Sequence, residues 1–143
     1  VHDMGAAMQG GIGGHAGVFS NANDLAKLMQ MYLEKGTYAD ERYISSSTID
    51  LFTKNHFIEN DNRRGLGFDK PEPIEGGPTC KDVSLSSFGH TGFTGTIAWA
   101  DPETELIYIF LSNRIHPDAE NLKLLKMDVR TEIMNEIYKH FGN

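Results

Sequence analysis

The stretch from residue 96 to residue 111 limits the folds open to this chain more than any other part of the sequence. From residue 96 to residue 100, Thr or Ala alternates with the large apolar residues Ile97 and Trp99, and this period of two is typical of a strand with two different faces. After a short polar loop, residues 106–111 are all apolar, which indicates a strand covered on both sides. The two runs therefore predict an antiparallel hairpin.

A glycine-rich segment, residues 87–95, comes directly before this hairpin. Gly89, Gly92 and Gly95 leave little side-chain bulk around the backbone there. We expect the segment to lie at the edge of the sheet, where its backbone N–H groups can approach a bound ligand closely.

Three helices are predicted elsewhere in the chain. Residues 21–35 repeat apolar side chains at intervals of three and four, with Asn21 as the N-cap. Residues 44–53 predict a second, shorter helix that Ser45 caps. The third helix, from about residue 119 to residue 141, should pack on the sheet through one apolar stripe. That stripe comprises Leu122, Leu125, Val129, Ile133 and Ile137, and it is widened by Met134 and Phe141.

The predicted fold class is α+β, with a long C-terminal helix packed on an antiparallel sheet. The 143 residues suffice for one domain with one core. Residues 1–19 are rich in glycine and show no helical or strand period, which predicts a loop. Residues 55–86 are polar and broken by prolines, and within them residues 70–83 predict a mobile loop.

Composition argues against several classes of function. The net charge is −7, from 13 Lys and Arg against 20 Asp and Glu, and no basic run is present, so nucleic acid is not an expected partner. The longest apolar run, residues 106–111, is too short for a membrane-spanning helix, and no signal peptide is visible. The single cysteine, Cys80, allows neither an internal disulfide nor a cysteine cluster for zinc, and we interpret it as an incidental thiol.

Several motifs together resemble a known family. Residues 88–95, followed by 99–102 and 110–114, resemble the third motif and C-terminal hairpin of the serine β-lactamase-like hydrolases. This family includes class C β-lactamases, DD-peptidases and related esterases. Its third motif is Lys-Thr-Gly or His-Thr-Gly on a strand that lines the active site, and here residues 90–92 are His-Thr-Gly.

Two further segments are similar to parts of this family. Val1-His2-Asp3 together with residues 14–20 resembles the loop that leads into a helix beside the active site. Residues 65–68, Gly-Leu-Gly-Phe, resemble a strand of the family. The resemblance implies a β-lactamase/transpeptidase-like fold and acyl-enzyme chemistry on an amide or ester substrate.

The resemblance also implies roles for individual residues. His90 takes the place of the third-motif cation or hydrogen-bond donor, and Thr91 contacts a substrate carboxylate or carbonyl. Gly92, Phe93 and His15 are assigned to substrate binding, with the Phe93 backbone N–H as one of two oxyanion donors. Because alternate residues of a strand face opposite sides, we expect His90 to face a cleft beside Thr91 and residues 10–17, away from the C-terminal helix.

The family's two earlier motifs do not occur in this sequence. No serine is followed three positions later by lysine, and no Tyr-x-Asn is present. We therefore interpret residues 1–143 as the C-terminal portion of a catalytic domain, inactive alone, from a periplasmic or extracellular parent protein. Such a fragment should self-associate through uncovered apolar strands. The alternative is a non-catalytic binding or assembly module that keeps the fold.

Other constellations in the sequence are weaker, and no cofactor or metal is predicted. Residues 11–16 fit a loose dinucleotide fingerprint, but no strand precedes them. A metal site could form if His2, Asp3, His15 and His90 converged, although no pair among them has a helical ligand spacing. The serines at 45–47 are explained by helix capping.

Overall fold

A computed structural model describes residues 1–72 and 77–141. The helices in this part of the chain are α1 (Met4–Met8), α2 (Ala22–Leu33), α3 (Ser46–Thr53), α4 (Lys123–Lys126) and α5 (Val129–Phe141), with a 3-10 turn at Ile58–Asn60. The strands are β1 (Thr37–Tyr38), β2 (Glu41–Arg42), β3 (Phe88–Thr91), β4 (Ile97–Asp101) and β5 (Leu106–Phe110). None of the described helices combines the length and the apolar character that crossing a membrane requires.

The three longer strands form one antiparallel sheet in the order β3-β4-β5. In its register Gly89 pairs with Trp99 and His90 pairs with Ala98. At the outer edge of β3, Gly89 exchanges two backbone hydrogen bonds with Asp69 in an isolated bridge. The predicted hairpin and the edge position of the glycine-rich segment are confirmed.

One face of the sheet packs against α5. Ile97 and Trp99 lie in a buried cluster with Met134 and Tyr138, and each of these side chains is less than 5% exposed. Complete burial of a large apolar side chain contributes roughly 1.5–3 kcal/mol. This layer is therefore the main reason that the helix stays on the sheet.

The opposite face packs against α2. Phe88 and Ala100 are buried there with Met29, and the partly buried Ile107 packs against them. The ring of Phe68 meets the ring of Phe88 edge-on, with centroids 5.2 Å apart. β5 thus contributes to both faces, as its continuous apolar run predicts, and the alternation read along β4 is confirmed.

The first two predicted helices are confirmed together with their caps. Asn21 accepts a hydrogen bond of 3.0 Å from the Asp24 N–H at the start of α2. Ser45 accepts one of 3.2 Å from the Thr48 N–H at the start of α3. The hydrogen bond from the Thr48 N–H supports the interpretation of the serines at 45–47 as part of a helix cap.

The C-terminal helix differs from the prediction in two respects. It is divided into α4 and α5, and Asp128 between them has a φ of +48°, which interrupts a right-handed helix. Its buried side chains are Met134 and Tyr138, whereas Ile133 is 40% exposed. The prediction was therefore wrong at Ile133 but correct for Met134 and for Ile137, which packs against the core. The break at residue 128 shifts the buried face of α5 relative to the stripe read through residues 122 and 125.

Residues 1–19 contain a short helix where a loop was predicted. Asp3 begins α1 by accepting a hydrogen bond of 2.7 Å from the Ala6 N–H, and Ala6 is fully buried. A helix of five residues is too short to show a period in the sequence. The two-residue strands β1 and β2 escaped prediction for the same reason.

Residues 65–68 do not form the strand that the family resemblance suggests. The following residue, Asp69, pairs with β3 through a single isolated bridge to Gly89. The mobile loop predicted for residues 70–83 lies partly outside the described residues. Of its described members, Lys70, Cys80 and Val83 are buried.

Candidate active site

A tight turn connects β3 to β4 and carries the glycine-rich motif. The Gly92 N–H donates to the Thr96 carbonyl at 2.8 Å, and the Gly95 N–H donates to the Gly92 carbonyl at 2.9 Å. Gly95 has a φ of +94°, and a Cβ atom there would overlap the Ser112 hydroxyl. Glycine is therefore required at this position both for backbone conformation and for space.

A cleft separates this turn from the N-terminal segment. Its wall on the sheet side is formed by residues 92–94 and Thr96, and its other wall by residues 1–5 and 14–18. The structure thereby brings together three of the predicted site residues, which are Gly92, Phe93 and His15.

Phe93 projects from the turn and is 63% exposed. The ring of His2 stacks on it, with centroids 5.5 Å apart and an angle of 13° between the planes. The guanidinium of Arg114 lies 4.8 Å from the centroid of the same ring. None of the hydrogen bonds within the described residues uses the Phe93 backbone N–H, so this donor is available to a ligand.

The segment that follows β5 supports the turn through hydrogen bonds to Thr94. The Thr94 carbonyl accepts hydrogen bonds from the Ser112 hydroxyl at 2.8 Å and from the Arg114 N–H at 3.0 Å. The Arg114 guanidinium also donates to the Ala119 carbonyl at 3.0 Å. Together with the bond from the Gly92 N–H to the Thr96 carbonyl, these bonds to Thr94 fix the backbone on both sides of Phe93 and so define this wall of the cleft.

His15 lies on the opposite wall and is paired with Asp3. Its Nε2 is 3.0 Å from Asp3 Oδ1. The hydrogen bond from the Ala6 N–H, together with the one from His15, lowers the pKa of Asp3 below its usual value. Asp3 therefore stays ionised near neutral pH and both begins α1 and orients the imidazole.

His90 does not line this cleft. It lies on the same sheet face as Phe88, away from α5 as expected, but its ring points to the loop before Asp69. Its Nε2 is 2.7 Å from Arg64 Nη1, and its Nδ1 is 2.7 Å from the Thr91 carbonyl oxygen. These two contacts hold the ring outside the space between the turn and the N-terminal segment.

Thr91 occupies the last position of β3, directly before the cleft-lining Gly92. It is partly buried and pairs with Ile97 across the sheet. The predicted catalytic pair, His90 and Thr91, therefore adjoins the cleft but does not form its wall.

The four residues considered for a metal site are divided between different contacts. His2 stacks on Phe93, His15 pairs with Asp3, and His90 contacts Arg64. Residues 1–72 and 77–141 contain no group of three His, Cys, Asp or Glu side chains that could hold an ion.

Cys80 is buried in the core, where burial raises the pKa of its thiol.

Sequence reasoning assigned no role to two arginines that touch the motif, Arg64 and Arg114. Arg64 lies 26 positions before His90 and belongs to a polar loop with no periodic pattern. The bridge between Asp69 and Gly89, together with the packing of Phe68 on Phe88, brings that loop to β3, and nothing in the sequence predicted this pairing. Arg114 belongs to residues 110–114, which carry part of the family resemblance, but the sequence did not indicate its contact with Phe93.

The chain is similar in sequence to several known proteins. A family model described as Beta-lactamase matches residues 1–130. An Escherichia coli O157:H7 protein, provisionally named D-alanyl-D-alanine carboxypeptidase, is 39% identical over 118 residues, which cover 81% of this chain and 27% of that protein. A Salmonella typhi protein with the same provisional name is 36% identical over 126 residues, which cover 87% of this chain and 29% of that protein. The chain thus spans less than a third of the length of these relatives.

The fold also matches a solved structure. A crystal structure of a beta-lactamase from Mycobacterium bovis superimposes with a TM-score of 0.66 at 22% identity, covering 85% of this chain and 44% of that one. The resemblance and the fold class inferred from the sequence are confirmed. Because the turn, the sheet and the N-terminal segment all lie within the 130 matched residues, this chain belongs to the beta-lactamase family.

Proposed function

We propose that this chain supplies the third-motif wall of the active site in a serine hydrolase that forms an acyl-enzyme from an amide or ester. The cleft between the turn and the N-terminal segment carries the proposal, because the Phe93 N–H beside it has no partner within the described residues. A fixed backbone donor of this kind stabilises the oxyanion that develops during acyl transfer.

The neighbouring residues take complementary roles in this proposal. Thr91 contacts a carboxylate or carbonyl of the substrate, and His90 supports it from the strand. Gly92 allows Thr96 to lie close to the backbone at the entrance to the turn, because a Cβ atom at residue 92 would overlap the Thr96 hydroxyl. His15, oriented by Asp3, borders the substrate from the opposite wall.

The serine nucleophile and its base belong, in this proposal, to a part of the catalytic domain outside residues 1–143. Two observations support this: the sequence has no Ser-x-x-Lys, and it covers 27% and 29% of the two relatives. The chain alone is then inactive, and its uncovered apolar surface favours self-association. Neither a cofactor nor a metal takes part.

The relatives' provisional name supports a more specific substrate. We propose a small peptide that ends in D-alanyl-D-alanine, with β-lactams and simple esters as weaker candidates. A periplasmic or extracellular location completes the proposal, and it rests on the family resemblance.

Covalent labelling tests this proposal. The full gene product is incubated with a fluorescent penicillin, and intact-mass spectrometry and peptide mapping locate any adduct. We expect one acylated serine, which lies in a Ser-x-x-Lys sequence, and no adduct on the 143-residue chain alone. A folded full gene product that is acylated on no serine would contradict the proposal and favour the non-catalytic binding module.

A further inference from the structure

The imidazole of His90 has a close partner at each ring nitrogen. Nε2 is 2.7 Å from Arg64 Nη1, and Nδ1 is 2.7 Å from the Thr91 carbonyl oxygen. A guanidinium carries only donors, so Nε2 must accept through its lone pair. A carbonyl oxygen carries only acceptors, so Nδ1 must hold the single ring hydrogen and donate it to Thr91.

The other protonation states of His90 do not fit these contacts. With the hydrogen on Nε2, two donors would face each other at Arg64, and two acceptors would face each other at Thr91. A doubly protonated ring would place a cation against the Arg64 guanidinium. Only the neutral Nδ1–H form satisfies both ring nitrogens at once.

Arg64 is held beside His90 by a buried carboxylate. Its Nη2 lies 3.8 Å from Asp69 Oδ2, and Asp69 is only 2% exposed. Arg63 binds the same carboxylate through two hydrogen bonds, of 2.8 and 3.1 Å. The backbone of Asp69 is in turn bridged to Gly89, the residue before His90. The loop and the strand are therefore fixed relative to each other at this point.

We infer that Arg64 is a positioning residue for the third motif. It holds His90 as the neutral Nδ1–H tautomer, and the hydrogen bond from His90 fixes the peptide between Thr91 and Gly92 at the entrance to the turn. The positive charge beside the motif then resides on Arg64 and not on the imidazole. The significance of this arrangement for catalysis rests on the proposed function, whereas the tautomer does not.

The tautomer can be measured directly by NMR. In protein labelled with ¹⁵N-histidine, long-range ¹H–¹⁵N correlations distinguish a protonated ring nitrogen from one with a free lone pair. His90 is identified by the signal that disappears in His90→Gln. We expect a protonated Nδ1 and an unprotonated Nε2 at neutral pH.

Two arginine variants complete the test. Arg64→Ala should move His90 toward the Nε2–H form that predominates in free histidine. Arg42→Ala is the matched control. Among the described residues, that exposed guanidinium binds the Lys35 and Ile44 carbonyls and no group near His90, so the substitution should leave His90 unchanged.

An Nε2–H form in the wild type would overturn the inference, and so would an unchanged tautomer in a folded Arg64→Ala. If Arg64→Ala does not fold, the wild-type spectrum decides alone. Because the spectrum needs no substrate, a wrong tautomer assignment for His90 is distinguishable from a failure of serine acylation in the proposed function.

Discussion

The Tyr138 hydroxyl on α5 donates a hydrogen bond of 2.9 Å to Asp101 Oδ2 at the end of β4. Asp101 is fully buried and also accepts hydrogen bonds from Ser84 and from the Glu103 N–H. Burial alone would raise the pKa of Asp101, but these hydrogen bonds outweigh it, and the pKa is lowered from 3.8. One carboxylate thus joins the helix, the sheet and the loop before β3.

Asp101→Asn should lower the free energy of unfolding by about 2–4 kcal/mol at neutral pH, because the new amide places donors opposite donors. Urea denaturation measures this loss. Asp40→Asn is a suitable control, since Asp40 is exposed and its φ of +65° suits asparagine. It should change stability by no more than about 0.5 kcal/mol. Equal losses in the two variants would contradict the structural role of Asp101.

The pH dependence of stability gives a second readout of the same substitution. Because the pKa of Asp101 is lower in the folded state than in the unfolded state, its contribution is present above the unfolded pKa and is lost as pH falls through the folded pKa. Stability of the wild type should therefore fall more steeply between about pH 5 and 3 than that of Asp101→Asn. Parallel curves would count against the assignment, since the remaining carboxylates are common to both proteins.

Lys70 should cause a second rise of stability with pH, in the alkaline range. It is 3% exposed, its Nζ donates to the Ser86 carbonyl at 2.7 Å, and burial lowers its pKa to about 8. Between about pH 8 and 10 the unfolded state retains a proton on Lys70 that the folded state has lost, so the contribution of Lys70 to stability should rise with pH. The rise should be about 1–3 kcal/mol, and Lys70→Met should remove it.

Urea midpoints measured at several alkaline pH values test the effect of Lys70. The exposed Lys126 provides the control variant, Lys126→Met, which should keep the rise. Cys80 and Tyr108, whose pKa values burial raises, have the opposite effect on stability as pH rises, but both groups are common to all of these proteins. A slope that survives in Lys70→Met would show that another group causes it.

Gly95→Ala should destabilise the turn that carries Phe93. The φ of +94° and the nearby Ser112 hydroxyl both oppose a side chain, so a loss of about 1–3 kcal/mol is expected. Gly14→Ala is the matched control, because Gly14 is exposed and a Cβ atom there would meet nothing within 4 Å. Thermal unfolding compares the two variants, and equal stability would mean that the turn differs from the one described.

The sheet could be predicted because its signals are local. The alternation around Trp99 and the apolar run at 106–111 fix which residues face each layer, whatever the rest of the chain does. The caps of α2 and α3 are equally local, since each depends on residues three positions apart. The C-terminal stripe was only partly correct, because one left-handed residue, Asp128, changed the phase of the helix.

The site was only partly predictable, for a related reason. Gly92, Phe93 and His15 were singled out from motifs, and they do meet at one cleft. The contact between Arg64 and His90 depends on a bridge between Asp69 and Gly89, which are 20 positions apart in the sequence. No period or spacing encodes such a pairing, so only the folded structure shows it.

His90→Ala should cost little stability, no more than about 1 kcal/mol, because the side chain is exposed and gives up little packing. Trp99→Ala on the adjacent strand is the contrasting variant. Trp99 is 1% exposed and donates to the Ser87 hydroxyl at 3.0 Å, so about 3–5 kcal/mol should be lost. Chemical denaturation of both variants measures the difference. A loss of several kcal/mol in His90→Ala would make the imidazole a structural group.

The rate of serine acylation tests the central claim most directly. In the full gene product, the second-order rate constant for acylation by penicillin is compared for the wild type, Thr91→Val and Thr37→Val, the last being a control on the separate small hairpin. We predict that Thr91→Val lowers the constant about 10- to 100-fold, equivalent to one hydrogen bond to a charged group, and that Thr37→Val leaves it unchanged. Equal constants in all three folded proteins would contradict the claim that Thr91, at the end of β3 beside the turn, contacts the substrate.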